Sequence, residues 1–299
     1  MSKIQDALRR IQEGSRPSAR KRIDTLETQV ATVIMEQAVD NLAGAEKHDS
    51  RVVAVDRKLL REAGLLPPED QERYIADQYR IIKRPILDLA TDKFADKPLH
   101  SNLVMIASAL PGDGKTFNAI NIALSMAVER DTSVLLVDAD IAKPHISDLF
   151  GLQSEPGLID VLVDQNMSIQ DVIIRSDVPG LSLLPAGRAD EHATELLASR
   201  RMARFATELS ESVPNRIVIF DSPPLLVTSE SRVLASNMGQ VAMVVCAGKT
   251  PQHAVISAIS SLDEGQAVNL ILNQAGSTIG DMSYGQFQYG YGERISVRH

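Results

Sequence analysis

Residues 103–130 read LVMIASALPGDGKTFNAINIALSMAVER. The apolar, β-branched run Leu103–Leu110 predicts a buried strand, and Thr116–Arg130 carries the apolar spacing of a helix. Between them lies ALPGDGKT, Ala109–Thr116, where a phosphate-binding loop belongs: directly after a strand and directly before a helix. Gly112 and Gly114 let the backbone curl so that successive N–H groups face an anion. Lys115 adds a point charge to the same oxygens, and the Thr116 hydroxyl is placed to ligate Mg²⁺. Ala109 stands where the usual pattern of such loops has its first glycine.

Outward from this unit the pattern repeats. Ser133–Asp140, Leu181–Pro185, Arg216–Asp221, Gln240–Ala247 and Val268–Leu272 predict further strands, with helical patterns at Ala193–Ser212 and Gln252–Leu262. Alternation of strands and helices implies α/β architecture: a doubly wound, mainly parallel sheet of the P-loop NTPase type. Near-continuous runs such as VLLV and IVIF fit strands covered on both faces. VLLVDAD puts Asp138 and Asp140 at one strand end, two residues apart and so on one face, and IVIFDSPP puts Asp221 at another. Ligands of open parallel sheets bind outside the carboxyl ends of the strands, so three carboxylates are expected to converge there. Mg²⁺ takes one or two carboxylates plus waters and phosphates, which leaves one acid free to act as a base.

Composition narrows the classes. Of 299 residues 44% are apolar, which excludes disorder throughout, and no run is long enough for a membrane-spanning helix. The first residues, MSKIQDALRR, lack the apolar core of a secretory signal. Cys246 is the single cysteine, so neither a disulfide framework nor a multi-cysteine metal site is available. These features favour the cytoplasm. A net charge of −8 argues against nucleic acid as a partner. The charge is uneven: residues 1–98 hold 18 Lys/Arg against 17 Asp/Glu, and the remainder 13 against 22.

The ends differ from the middle. Ile4, Leu8 and Ile11 predict a short amphipathic helix, followed by a mobile linker, and the two together account for residues 1–68. A helical stretch follows in 69–98, with Pro85 placed to kink or divide it, and the nucleotide-type domain spans 99–275. Residues 276–299 are glycine-rich, predict a flexible tail, and hold three of the five tyrosines, Tyr284, Tyr289 and Tyr291.

ALPGDGKT, VLLVDADIAKPHISDLFG, GLIDVL (157–162), LLPAG (183–187), TELLAS (194–199) and IVIFDSPPLL (217–226) occur in the order seen in bacterial tyrosine kinases, the BY-kinases of capsule and exopolysaccharide synthesis. The resemblance covers roughly 75–299. SESRVLASNMGQVAMVVCAGKT (229–250) and the helical N-terminus look most like the exosortase-associated autokinases of exopolysaccharide loci. The resemblance implies an ATP-dependent protein-tyrosine autokinase using Mg²⁺. By it, Pro111, Gly112, Asp113, Gly114, Lys115, Thr116 and Phe117 hold the nucleotide. Lys115, Asp138 and Asp140 are catalytic, with Asp138 the base for the tyrosine hydroxyl, and Thr116, Asp140 and Asp221 hold the metal. Tyr284, Tyr289 and Tyr291 match the family's autophosphorylation cluster, here a short one. Ala142 stands where family members usually carry an arginine.

The family also assembles through a helical E-x-x-R-x-x-R motif before the core, and Asp77, Arg80 and Lys83 keep its charge signs at that spacing. The implied partners are further copies of the chain in a ring, a membrane polysaccharide co-polymerase adaptor and a phosphotyrosine phosphatase. The implied location is the inner face of the cell membrane, reached through the adaptor. Two other readings use the same residues: a positioning ATPase of the ParA/MinD type, and a non-catalytic nucleotide-gated scaffold. Positioning ATPases usually carry a lysine at the second loop position, where Leu110 stands, and have no use for a tyrosine tail.

Overall fold

The computed structural model describes residues 52–91 and 97–275, all within a unit that begins at Arg51. Eight strands form one sheet: β1 Val52–Val53, β2 Leu103–Ser108, β3 Ser133–Asp138, β4 Ile174–Ser176, β5 Leu181–Leu184, β6 Arg216–Asp221, β7 Gln240–Cys246 and β8 Ala267–Asn273. Their order is β1-β4-β5-β3-β6-β2-β7-β8. Every pairing is parallel except β4 with β5. The helices are α1 Arg57–Glu62, α2 Glu72–Ala90, α3 Lys115–Ala127, α4 His145–Leu149, α5 Leu158–Val163, α6 Ala193–Leu197, α7 Arg200–Glu211, α8 Ser229–Ala235 and α9 Gln252–Ile259.

The period of two along each strand builds two cores from one sheet. Leu103, Met105, Leu135, Val137, Val218 and Phe220 point to the face covered by α7, α8 and α9 through Met202, Phe205, Leu234 and Ala258. The alternate residues Val104, Ile106, Val134, Leu136, Ile217 and Ile219 point to the face covered by α2 and α3 through Tyr79, Ile86, Ile120 and Met126. Covering on both sides is why the central strands read as unbroken apolar runs. Burying each large side chain contributes about 1.5–3 kcal/mol, and all six residues of β2 are buried.

Three differences from the sequence reading have local causes. Residues 52–68, there joined to the linker, carry β1 and α1: β1 pairs with β4, and the Asp177 carboxylate accepts from the Val55 N–H at 2.9 Å. The helical run 193–212 is two helices, because Ser199 leaves the helix and caps α7, its hydroxyl accepting from the Met202 N–H. Helix α2 passes through Pro85 without dividing. The donor that proline lacks would have bonded the Ile81 carbonyl, and both residues lie on the exposed side of α2. The amphipathic helix around Ile4, the linker to residue 50 and the tyrosine tail lie outside the described residues. Among the described residues, no helix is long and apolar enough to cross a membrane.

Candidate active site

The site forms where β2, β3 and β6 end. Strand register does most of the assembly, because β3 and β6 pair with Asp138 directly opposite Asp221. Strand β2 lies on the other side of β6, with Ile106 opposite Asp221, and its extension delivers the loop into α3. Gly112 and Gly114 both have positive φ, +81° and +97°. Gly114 is also the residue from which α3 starts, and a Cβ there would meet the Asn273 amide nitrogen at 2.1 Å. The glycines are therefore required twice at Gly114, for backbone angle and for space.

Lys115 and the acids are held by one another's neighbours. The Lys115 ammonium, 9% exposed, donates to the Ser108 hydroxyl at 3.2 Å, and Ser108 donates in turn to the Leu110 carbonyl at 2.7 Å. The Thr116 hydroxyl donates to Asp221 Oδ2 at 2.7 Å. Asp138 Oδ2 accepts two bonds from Ser147, its N–H and its hydroxyl, each at 2.7 Å. The Ser147 hydroxyl also accepts from the Ala186 N–H, so LLPAG meets the acidic strand end there. Asp138 Oδ1 and Asp221 Oδ1 are buried without a hydrogen-bond partner.

Desolvation dominates the electrostatics. It raises Asp138 to about 6 against the pull of its Ser147 bonds, with Asp140 pushing it the same way. It raises Asp221 to about 7 against its Thr116 bond. Asp140 is raised more gently by burial, with the Lys143 N–H bond opposing, and burial lowers Lys115 against the attraction of Asp221, Asp140 and Asp113. The charges of Asp221, Asp140 and Asp113 thus all act on one buried ammonium. A cation fits this arrangement: the unpartnered Asp221 Oδ1 and the cleft-lining Asp140 carboxylate are hard donors, as a divalent metal such as Mg²⁺ requires. Among the described residues no group of three or more His, Cys, Asp or Glu side chains is arranged to hold a metal by itself.

A cleft of about 600 Å³ opens over the loop, lined by Gly112, Lys115, Thr116, Asp140, Lys143 and Pro223 among others. The structure places the predicted residues unequally. Pro111, Phe117 and Asp140 line the cleft, whereas Asp138 is 0% exposed and lies outside the cleft lining. Asp113 faces inward: its carboxylate accepts from the Thr250 hydroxyl at 2.7 Å and the Leu110 N–H at 3.2 Å. Asp77 and Arg80 pair with each other on the exposed side of α2.

Lys83 departs from the other two residues of this charge spacing. It is 3% exposed, donates to the Ser125 carbonyl and pairs with Glu129 at 2.8 Å, within its own chain. Two steps of three residues turn a helix by about 600°, which leaves Lys83 about 120° round from Asp77. Sequence reasoning also missed Ser147, Thr250, Asn118 and Asn273, which hold the acids and the loop. Asn273 donates to the Asp113 carbonyl at 2.9 Å and Asn118 to the Gly114 carbonyl at 2.9 Å. A polar residue closing an apolar strand was the available signal for Asn273. The tyrosines Tyr284, Tyr289 and Tyr291 lie outside the described residues.

Comparison with known proteins bears on this site. Residues 101–249 match the family model described as AAA domain. The chain is 32% identical over 187 residues to the tyrosine-protein kinase YwqD of Bacillus subtilis, covering 62% of this chain and 75% of YwqD. It is 30% identical over 202 residues to EpsB of Ralstonia solanacearum, covering 68% of this chain and 26% of EpsB. The chain thus spans about a quarter of the length of the longer relatives it matches. Among solved structures, the VpsO kinase domain superposes with a TM-score of 0.58 at 28% identity, covering 70% of this chain and 100% of that one. The BceF tyrosine kinase domain gives 0.55 at 25% identity, covering 78% and 88%.

Proposed function

This chain belongs to the bacterial tyrosine-protein kinases, and from that premise we propose that it is an ATP-dependent protein-tyrosine autokinase. Its acceptors are Tyr284, Tyr289 and Tyr291, phosphorylated in trans by a neighbouring copy. The observation that carries the reading is the pairing of Asp138 with Asp221 beside a glycine loop whose Thr116 donates to Asp221 and whose Lys115 lies in the field of Asp221 and Asp140.

The roles follow from position. The loop N–H groups from Gly112 to Thr116 hold the polyphosphate, and Lys115 neutralises its outer oxygens. Thr116, Asp140 and Asp221 are the residues that would hold Mg²⁺. MgATP, when bound, supplies the phosphoryl group and the divalent charge. A free tyrosine hydroxyl has a pKa near 10, so the proton it loses as its oxygen bonds phosphorus needs an acceptor. Asp138 is the acceptor we assign, with Oδ2 fixed by Ser147 and Oδ1 unpartnered. A carboxylate raised to about 6 is a better proton acceptor near neutral pH than one left near 4.

The wider setting is part of the same proposal. The kinase serves exopolysaccharide synthesis or export, assembles in rings of its own copies, and is engaged by a membrane polysaccharide co-polymerase at the inner face of the membrane. A phosphotyrosine phosphatase reverses it.

The test is direct. Purified protein is incubated with MgATP and phosphate is mapped by mass spectrometry, with Lys115→Ala, Asp138→Asn and Asp140→Asn alongside. Phosphate on the tail tyrosines, absent with Lys115→Ala, is expected. ATP hydrolysis with unmodified tyrosines would instead indicate a positioning ATPase. If Asp140→Asn abolishes transfer while Asp138→Asn leaves it intact, the cleft-lining acid is the base and the assignment to Asp138 is wrong.

A further inference from the structure

The P-loop helix carries a polar stripe that is read by one upstream segment. Asn118, Asn121, Ser125 and Glu129 recur along α3 and just past its end at spacings of three and four, one side of the helix. Each bonds a residue between 65 and 83. The Tyr79 hydroxyl donates to Asn118 Oδ1 at 3.0 Å, and Asn121 donates to the Leu65 carbonyl at 2.9 Å. Lys83 takes the other two, the Ser125 carbonyl and the Glu129 carboxylate.

The same segment reaches the cleft. Helix α1 ends at Gly64, whose φ is +71°, with the Gly64 N–H on the Arg61 carbonyl at 2.9 Å and the Leu65 N–H on the Leu60 carbonyl at 2.8 Å. This is the paired-bond ending that a left-handed glycine permits, and it sets the direction in which the chain leaves the helix. Gly64 and Leu65 then line the cleft together with Phe117 and the loop glycines. Leu65 is half-buried against the α3-side core, as is Phe117. An apolar side chain offers nothing to a phosphate, but it suits the ribose or base of a nucleotide.

We infer that Gly64 and Leu65, held in place by the polar stripe of α3, are part of the nucleotide site: they form an apolar wall for the nucleoside moiety. This rests on the reading of the loop as a nucleotide site. Leu65 contacts the ligand, whereas Asn121 and Tyr79 are positioning residues. Asn121 fixes the wall. Tyr79 orients Asn118, whose amide grips the Gly114 carbonyl inside the phosphate loop. Binding and seating of the segment are then reciprocal, so a nucleotide that leans on the wall also holds the segment down.

The experiment titrates the full chain with a fluorescent ADP analogue in Mg²⁺, for wild type, Leu65→Ala, Asn121→Ala and Lys115→Ala, with hydrogen exchange of the peptide over residues 60–68 followed in parallel. Leu65→Ala is expected to weaken binding about three- to ten-fold, from the loss of one buried apolar contact. Asn121→Ala lies outside the cleft and is expected to weaken it less, in the same direction. In the wild type, MgADP should slow exchange across 60–68. Wild-type affinity in both variants, or exchange over 60–68 unchanged by MgADP, overturns the inference. Should Leu65→Ala fail to fold, Asn121→Ala and the wild-type exchange decide the matter alone. Lys115→Ala separates the two levels: if it binds like wild type, the nucleotide reading itself has failed, whereas lost binding there with unaffected Leu65 and Asn121 variants refutes only the wall.

Discussion

Lys83 and Lys115 are both buried lysines, 3% and 9% exposed, and both donate to an oxygen of their own chain. Their surroundings separate them. Lys83 closes a helix–helix contact, with Glu129 opposite it and the Glu129 carboxylate held low by that bond. Lys115 lines a cleft, under the charges of Asp221, Asp140 and Asp113, and its own pKa is lowered by burial despite them. Burial of a charge therefore does not mark a site. What marks it is several charges buried together at the ends of strands, with polar atoms left unsatisfied, a state that a ligand relieves.

The sharpest way to break this contrast is Lys115→Ala. It should reduce phosphotransfer by at least about 10³-fold, because the loop loses its only point charge on the phosphates. Thermal unfolding without nucleotide should change little, since removing a desolvated ammonium also removes its burial penalty. A variant that unfolds instead would show that Lys115, like Lys83, is chiefly structural.

A second measurement tests the desolvated acids. Asp138 is raised in the folded chain to about 6 from 3.8, so it takes up protons more readily folded than unfolded. Its contribution is fully present below the unfolded value and is lost as pH rises through about 6, where a buried charge must form. Asp138→Asn keeps an oxygen for the Ser147 donors and cannot ionise. Measured by denaturant unfolding without metal or nucleotide, the variant should match wild type near pH 4. At pH 8 it should be more stable by about 2–3 kcal/mol. A gap that is constant with pH would mean that Asp138 is not desolvated as the geometry states. MgADP should narrow the gap at pH 8.

The two lysines also show how much a sequence reveals. The central strands were legible because each is covered on both faces, and their apolar runs ended within two residues of the observed limits. β1 and β4 were not, since strands of two and three residues carry no periodicity. Lys115, Thr116, Asp138, Asp140 and Asp221 were legible because strand–loop–helix order and strand ends fix where they lie. Ser147, Asn118 and Thr250 were not: each is a single polar residue outside any repeating pattern, and the Thr250 partner Asp113 is 137 residues away. Lys83 was grouped with Asp77 and Arg80 from charge spacing alone. Tyr79, Lys83 and Ile86, at i, i+4 and i+7, are the buried residues of α2, and that apolar period was the stronger signal.

Lys83→Met sharpens the comparison from the other side. The stem is kept and the charge removed, so the Ser125 carbonyl loses a donor while Glu129, partly exposed, turns back to water. The loss should be about 1–2 kcal/mol by denaturant unfolding, that of one hydrogen bond in a partly buried setting. Phosphotransfer at saturating nucleotide should stay within about two-fold of wild type. A large loss of activity with stability unchanged would move Lys83 from the packing of α2 to the assembly role its spacing suggested.

The smallest stability effect belongs to Asp77, and it isolates that assembly role. Asp77 and Arg80 pair across one turn of α2 with side chains 62% and 70% exposed, so water and salt screen the attraction. Asp77→Ala should change stability by less than about 0.5 kcal/mol. If the exposed face of α2 joins neighbouring copies, the same substitution should shift the sedimentation profile of the chain toward smaller species and lower trans-phosphorylation in proportion. Charge reversal by Asp77→Lys should do so more strongly, because like charges would then meet across the contact. Unchanged sedimentation in both variants would remove α2 from the assembly interface. The helix would then serve only its own chain, through the buried face on which Lys83 and Tyr79 lie.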